Sequence, residues 1–110
     1  MTNTIRVFDS VHREIPIQTI KYVEGHESYS MLYLTDSKPI LASYNVSKMA
    51  GQLPSFVRIY RKYLVNPQFI APNQLLSVKQ LMLSLTTGEV LPISRRRVTE
   101  LASFLAKSKE

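Results

Sequence analysis

Three consecutive arginines, Arg95–Arg97, have the residue types and spacing best suited to chemistry in this sequence. They follow Ser94, a favourable N-cap residue, so the pattern predicts that they form the first turn of a helix. A cation in that turn is disfavoured by roughly 0.3–1 kcal/mol, because a helix N-terminus already carries partial positive charge. The cluster therefore indicates a role in binding. Phosphate binds at helix N-termini and arginine recognises guanine edges, so a polyanion such as a nucleic acid is the expected ligand.

A second basic group lies near the middle of the chain, where Arg58, Arg61 and Lys62 are interleaved with tyrosines. If both groups face the same way, they form a basic platform large enough to follow a nucleic-acid backbone. The alternative interpretation is purely structural: a solvated strand face for this group and an exposed helix end for the arginine triplet.

Charge is distributed unevenly along the sequence. The net charge is +6, yet residues 37–97 hold nine bases and one acid, whereas the remaining residues hold five bases and seven acids. Such segregation is typical of a nucleic-acid footprint, although basic charge can also serve solubility alone. An anionic membrane is less favoured, because no predicted helix has basic residues along one face.

Length and composition limit the class of protein. The 110 residues suffice for one domain with a single core, and a hydrophobic content of 45% is typical of a globular chain. The lack of cysteine excludes disulfides, thiolate metal sites and cysteine nucleophiles. The N-terminus lacks the apolar segment of a signal peptide, and no apolar run approaches the roughly 18 residues of a membrane span. A cytoplasmic protein is expected.

Catalysis has little support in the sequence. His26 lies beside Glu24 and Glu27, but this group falls in a predicted solvated turn from Gly25 to Ser28. No carboxylate pair has an acid–base arrangement, no serine has a histidine placed to activate it, and the three scattered glycines form no phosphate-binding loop. We therefore expect no enzyme, and no cofactor, metal or small-molecule substrate.

Hydrophobic periodicity predicts a mainly β fold with two short amphipathic helices. Period-two alternation marks predicted strands near residues 5–7, 15–23, 28–34, 40–44, 56–65, 81–85 and 90–93. Neither face of segment 56–65 is wholly apolar, so part of it is expected to turn a corner. Helical spacing of apolar residues predicts the helices at about 45–53, with Asn45 as N-cap, and at about 95–106.

Three segments, in order, resemble the motifs of the LytTR DNA-binding domain. Residues 56–66, FVRIYRKYLVN, resemble its signature Phe-x-Arg-x-His-Arg-Ser-Tyr-x-Val-Asn. Residues 20–25, IKYVEG, followed by Tyr29, resemble the family's Ile-x-Tyr-(Ile/Val)-Glu-Ala turn and its aromatic residue. Residues 91–96, LPISRR, resemble its (Ile/Leu)-Pro-Val-Ser-Arg-Arg segment. The resemblance extends over about residues 15–105.

The resemblance implies a fold and a mode of binding. The fold would be an elongated β–β–β arrangement of small antiparallel sheets with short helices, in a single domain over residues 1–110 without a receiver or membrane domain. The function would be transcription regulation in the cytoplasm, through loops that enter successive major grooves of double-stranded DNA at promoter direct repeats. A second copy on the DNA is an implied partner, as is a receiver domain or a membrane protein.

The resemblance also implies roles for individual residues. Arg95 matches the base-reading arginine, Arg61 matches a loop position that contacts bases or phosphate, and Tyr29 matches a groove-facing position. The remaining candidates are expected to contact the DNA backbone: Lys62, Arg96, Arg97, Arg58, His26 and Tyr60. Tyr60 and Lys62 stand where the family usually has histidine and serine, which affects sequence preference rather than binding mode.

Two other binding functions stay open from the residues alone. Tyr60 and Tyr63 could stack on the bases of single-stranded RNA, which would make the chain an RNA-binding β-domain. The chain could also be a protein-interaction module that regulates a membrane partner. A competition between duplex DNA and single-stranded RNA at equal salt would separate the RNA alternative from the DNA-binding hypothesis.

Overall fold

The computed structural model of the protein describes residues 4–8, 12–72, 74, 76 and 79–108. In these ranges the chain forms nine strands and two α-helices. The strands are β1 (Thr4–Phe8), β2 (His12–Pro16), β3 (Ile20–His26), β4 (Tyr29–Leu34), β5 (Ile40–Ala42), β6 (Val57–Tyr60), β7 (Tyr63–Val65), β8 (Met82–Ser84) and β9 (Val90–Pro92). The helices are α1 (Val46–Gln52) and α2 (Val98–Ser108), and 3-10 turns occupy Ile17–Thr19, Pro67–Phe69 and Arg95–Arg97.

The strands form three antiparallel sheets. A central sheet has the order β5-β4-β3-β7-β6, and two-stranded sheets β1-β2 and β8-β9 accompany it. The molecule measures 42 × 31 × 23 Å along its principal axes. These features confirm the predicted mainly β fold, an elongated arrangement of small antiparallel sheets with two short helices.

Alternation of side chains along the central sheet creates a hydrophobic core on each of its faces. Val23, Leu32 and Leu64 belong to one core, which they share with the β1-β2 sheet and α1. Their sequence neighbours Tyr22 and Val65 belong to the other core, which the β8-β9 sheet and α2 complete. Each smaller sheet therefore buries its apolar side chains against one face of the central sheet.

The corner predicted in the middle of the chain is a hairpin. β6 ends at Tyr60 and β7 begins at Tyr63, so Arg61 and Lys62 form a two-residue β6–β7 turn. Ile59, the residue before Tyr60, is fully buried. The hairpin therefore keeps the apolar residues of this segment in the core and places its cations at the end of the sheet.

Both helices are short and pack against a core. Asn45 caps α1 as predicted, because its Oδ1 accepts a hydrogen bond from the backbone N–H of Lys48 at 2.9 Å. Met49 of α1 lies in the first core, and Val98 and Leu101 of α2 lie in the second. Neither helix of the described ranges has the length and hydropathy of a membrane-spanning helix.

The start of the second helix differs from the prediction. The hydroxyl of Ser94 makes no capping bond, and its Oγ is buried without a partner in the described part of the chain. Arg95–Arg97 form a 3-10 turn, in which Arg97 N–H donates to the Ser94 carbonyl oxygen at 3.0 Å, and α2 begins only at Val98. The Arg97 N–H, which a cap would direct to the Ser94 side chain, is taken by the Ser94 carbonyl oxygen. The Ser94 N–H in turn donates to the carbonyl oxygen of Ile59 in β6 at 2.8 Å. This bond fixes the path of the chain into the helix.

Candidate nucleic-acid interface

Two turns lie side by side at one end of the central sheet. β3 extends to His26, so the β3–β4 turn consists of Glu27 and Ser28 and is shorter than the predicted turn that began at Gly25. The Gly25 N–H donates to the carbonyl oxygen of Lys62 at 2.7 Å. That bond joins the β6–β7 turn to the strand leading into the β3–β4 turn, so the two turns hold a fixed relative position.

Tight packing constrains the backbone where these turns meet. A Cβ atom at Gly25 would lie 2.7 Å from the Cβ of Val46 at the start of α1. A larger residue would therefore force α1 away from the sheet. In the β3–β4 turn, Glu27 has a φ of 46°, in the left-handed region that costs a non-glycine residue roughly 1–3 kcal/mol.

Four of the predicted site residues line one open groove beside these turns, with a volume of about 550 Å³. They are His26, Arg58, Arg61 and Lys62, and the lining is completed by Gly25, Glu27 and Val46. We call this depression the lysine groove. Three of its four predicted side chains are cations at neutral pH, so it attracts anions.

A second groove, of about 320 Å³, lies between the β6–β7 turn and the 3-10 turn that precedes α2. Its lining consists of Tyr60, Arg61, Ser94, Arg96 and Arg97. We call it the arginine groove, and we call Arg95–Arg97 the arginine turn. Because Arg61 lines both grooves, the two basic groups of the sequence form one continuous surface, as expected if they face the same way.

Arg95 and Tyr29 belong to the same surface but line neither groove. The side chains of Arg95 and Arg96 are exposed and make no hydrogen bond or ion pair with other residues that the structure describes. Tyr29 is 37% exposed and stacks on His26, with ring centroids 5.1 Å apart and planes inclined by 14°. Both side chains are therefore accessible to a ligand at the rim.

Two arginines of this surface use their guanidinium groups within the protein: Arg97, whose Nη1 donates to the Arg58 carbonyl oxygen at 3.4 Å, and Arg58 itself. The Nη2 of Arg58 donates to the carbonyl oxygen of Arg61, and its Nη1 donates to Ser47 Oγ at 3.4 Å. Burial lowers the pKa of Arg58, and the nearby charges of Arg97 and Arg96 lower it further. Arg58 thus connects the β6–β7 turn to the start of α1, and its environment is already strongly positive.

Glu24 lies behind the lysine groove, and sequence reasoning misplaced it in a solvated turn. Its side chain is only 16% exposed, because it belongs to β3 rather than to the turn. Its Oε1 accepts a hydrogen bond from Tyr33 OH at 3.0 Å, and its Oε2 accepts one from Tyr63 OH at 3.1 Å. Lys62 Nζ lies 3.4 Å from Oε2, and His26 Nε2 lies 3.5 Å from Oε1.

This network controls the ionisation of its members. Burial alone would raise the pKa of Glu24, but hydrogen bonds from Tyr33, Tyr63 and Lys62 lower it overall. Burial and the bond to Glu24 raise the pKa of Tyr63 to about 12. Glu24 is therefore a carboxylate at neutral pH. Within the described ranges, histidine and acidic side chains form no group of three that could ligate a metal ion.

A partial signal for Glu24 exists in the sequence. Its spacing of two from Tyr22 places both residues on one face of a strand. No local pattern identifies Tyr33 of β4 and Tyr63 of β7 as its hydrogen-bond donors, because their approach depends on strand pairing between distant segments.

The tyrosines beside the basic residues are mostly packed within the sheet. Tyr63 donates its hydroxyl proton to Glu24 and meets the Tyr22 ring edge-on, with centroids 6.1 Å apart. The ring centroids of Tyr60 and Tyr63 are 6.1 Å apart. Of these two residues, Tyr60 lines the arginine groove. These contacts leave Tyr63 unsuited to the base stacking that the RNA alternative requires.

Comparison with known proteins shows which domain family the chain resembles. The family model described as the LytTr DNA-binding domain matches residues 11–106. The chain is also similar to a solved structure from Bacillus cereus, the LytTr DNA-binding domain of a protein assigned as a methyl-accepting/DNA response regulator. The two share 17% sequence identity over 96% of this chain and 98% of that chain, with a TM-score of 0.74, so the likeness concerns the fold. Curated proteins give no significant match.

Proposed function

Because the chain belongs to the LytTR family of DNA-binding domains, we propose that it regulates transcription in the cytoplasm by binding promoter DNA at direct repeats. Its loops would enter the major groove, and a second copy would occupy the neighbouring repeat. DNA binding and transcription regulation are the general function of the family, whereas the repeats and the loop contacts are specific to the proposal.

The observation that carries the proposal is the position of Arg61 in both grooves. The arginine turn, the β6–β7 turn and the β3–β4 turn thereby share one surface, although they come from distant parts of the sequence. A basic surface of this kind neutralises phosphates and releases their counterions, which drives binding to any duplex. The exposed side chains at its rim supply the contacts that could distinguish bases.

The accessibility of the side chains supports a division of roles. Arg95, which is exposed and unpaired within the described residues, is proposed to read a guanine in the major groove. Tyr29 is proposed to contact bases from beside the β3–β4 turn, and Arg61, a position that contacts bases or phosphate in the family, is proposed to contact mainly phosphate. The proposed backbone contacts come from the two grooves: Arg96, Arg97, Tyr60, Arg58, His26 and, weakened by its ion pair with Glu24, Lys62.

Selection of bound sequences from a random duplex pool tests the proposal. We expect a pair of directly repeated motifs whose centres are separated by a multiple of roughly 10.5 bp, because copies on one face of the duplex follow its helical repeat. A single enriched motif without a repeat would contradict the tandem arrangement. Absence of any enriched motif would contradict sequence-specific binding.

A competition titration tests the class of ligand. Labelled duplex containing the selected site is bound at a fixed salt concentration and challenged with unlabelled duplex or with single-stranded RNA of equal length. We expect duplex to compete much more strongly. Stronger competition by the RNA would replace the proposal with single-strand recognition.

A further inference from the structure

Glu24 places a negative charge directly behind the surface that is proposed to meet DNA phosphates. Its carboxylate lies 3.4 Å from Lys62 Nζ and 3.5 Å from His26 Nε2, and both of these residues line the lysine groove. A carboxylate at this place opposes phosphate binding, because it attracts the same cations and repels the ligand. Its position therefore needs a reason beyond electrostatic attraction of DNA.

The carboxylate of Glu24 is held by two tyrosines that do not line the groove. Tyr33 from β4 and Tyr63 from β7 donate hydrogen bonds to its two oxygens, at 3.0 and 3.1 Å. The side chain is only 16% exposed, so leaving this position would break both hydrogen bonds. The carboxylate is therefore a fixed anchor for the side chains above it.

Lys62 and Arg61 are neighbours in one turn but have different partners. Lys62 is 45% exposed and directed toward Glu24, and its Nζ also lies 5.5 Å from the centroid of the Tyr63 ring. Among the described residues, the guanidinium of Arg61 has no hydrogen bond or ion pair. A phosphate that approaches Arg61 meets a free cation, whereas one that approaches Lys62 competes with a carboxylate.

We infer that Glu24 is a positioning residue that restrains Lys62 and limits the sequence-independent attraction of this surface to phosphate. The inference rests on the proposed function and deepens it. By reducing one non-specific contact, Glu24 increases the fraction of the binding free energy that comes from base contacts at the rim. The residue thus contributes to specificity without touching the DNA.

The test is the salt dependence of binding to a duplex of arbitrary sequence, measured by fluorescence anisotropy. Glu24→Gln keeps an oxygen for one tyrosine hydroxyl but removes the charge that holds Lys62. We expect the slope of log K against log salt to become steeper by about one unit, as for one added phosphate contact. Between about 50 and about 200 mM salt, this variant should lose roughly threefold more affinity than the wild type.

Two control variants separate restraint of Lys62 from a general change in structure. Adding Lys62→Met to Glu24→Gln should return the slope to the wild-type value. Tyr33→Phe, which removes one hydrogen bond and no charge, should leave the slope unchanged. An unchanged slope in Glu24→Gln, or a steeper slope that persists in the double variant, overturns the inference.

A second measurement does not depend on the folding of any Glu24 variant. In the wild-type background, Lys62→Met should flatten the salt slope much less than Arg61→Met does. Equal flattening by the two substitutions overturns the inference, because it would show that Lys62 is as free as Arg61. Wild-type protein that binds no duplex would overturn the proposed function together with the inference, whereas wild-type binding with equal flattening overturns the inference alone.

Discussion

Two basic turns border the grooves, and their cations have different partners. In the arginine turn, the side chains of Arg95 and Arg96 are exposed and bonded to no other described residue. The β6–β7 turn is instead held on several sides: Arg58 donates to its backbone, Gly25 donates to the carbonyl oxygen of Lys62, and the Lys62 ammonium lies beside Glu24. The arginine turn thus presents two side chains without a partner among the described residues beside Arg97, whose Nη1 donates to the Arg58 carbonyl oxygen at 3.4 Å. The β6–β7 turn is held through both its backbone and its side chains.

The difference indicates how a small domain can combine affinity with discrimination. Free guanidinium groups can adapt to base edges, where bidentate geometry gives discrimination between bases. In the proposed complex, the restrained turn would keep its position relative to the duplex and set the register from which Arg95 and Arg96 reach the major groove. The predictions below test this contrast, from the largest expected effect to the smallest.

Arg95→Ala should have the largest effect on binding to a selected site. We expect a loss of about 1–3 kcal/mol and relaxed preference at one base position, because a bidentate contact to guanine is removed. Quantitative binding to the selected site and to its single-base variants measures both effects. Arg6→Ala is the matched control, since Arg6 is an exposed arginine of the β1-β2 sheet that pairs with Glu14. Equal losses from both substitutions would contradict base reading by the arginine turn.

Gly25→Ala tests whether the β6–β7 turn depends on its packing. The new Cβ would lie 2.7 Å from the Cβ of Val46, so we expect a loss of about 1–3 kcal/mol in the free energy of unfolding. Chemical denaturation measures the loss.

The matched control is Gly51→Ala, where a Cβ meets nothing within 4 Å. Because Gly51 lies in α1, this substitution should be neutral or stabilise by up to about 1 kcal/mol. If Gly25→Ala had as little effect on the free energy of unfolding as Gly51→Ala, the claim that packing at Gly25 fixes the β6–β7 turn would be wrong.

Arg61→Met should have an intermediate effect that is similar for all sequences. We expect the salt slope to flatten by about one unit, with little change in base preference, because one phosphate contact is lost. Binding titrations at several salt concentrations, on specific and arbitrary duplexes, give the slope. Arg6→Met removes the same charge elsewhere and should leave the slope unchanged. A change in base preference would instead show that Arg61 contacts the bases rather than the phosphate backbone.

Ser94→Ala should have the smallest effect, on folding, because the hydroxyl caps nothing. Its Oγ is buried without a partner among the described residues, so its removal should change the free energy of unfolding by less than about 0.5 kcal/mol. Asn45→Ala provides the comparison, since Asn45 caps α1 through a bond of 2.9 Å and its loss should cost about 1 kcal/mol. Thermal or denaturant unfolding measures both variants. A cost for Ser94→Ala as large as that of a true cap would show that the Ser94 hydroxyl does stabilise the arginine turn.

Local patterns in the sequence were sufficient for much of the fold. The helical spacing around Met49 predicted α1, with Asn45 as its cap, because capping depends only on residues within one turn. The mixed faces of segment 56–65 predicted a corner, and the hairpin at Arg61 is that corner. The resemblance to the LytTR motifs added the arrangement of the sheets, which no local pattern contains.

Contacts between distant segments were beyond local patterns. Ser94 resembles a cap in sequence, but its backbone is bound by Ile59, which is far away in the chain. Glu24 resembles a turn residue, but strands β4 and β7 enclose it with tyrosines. The partners of Glu24 are brought near by strand pairing, whose register depends on the complete fold. The partner of Ser94 is brought near by packing in the second core, which contains Ile59, Ile93 and Val98.

The positions of the three glycines have a practical consequence for observing this domain in solution. The amide of Gly25 bridges the two turns at the groove, Gly51 lies in α1, and the amide of Gly88 bonds to the Leu85 carbonyl oxygen in the β8–β9 turn at 3.0 Å. Glycine amides give well-separated signals in nitrogen–proton NMR spectra. Three assignable resonances therefore report separately on the groove, the first core and the second core. The Gly25 proton in particular follows the bond between the turns, so its rate of exchange with solvent measures how often that bond opens.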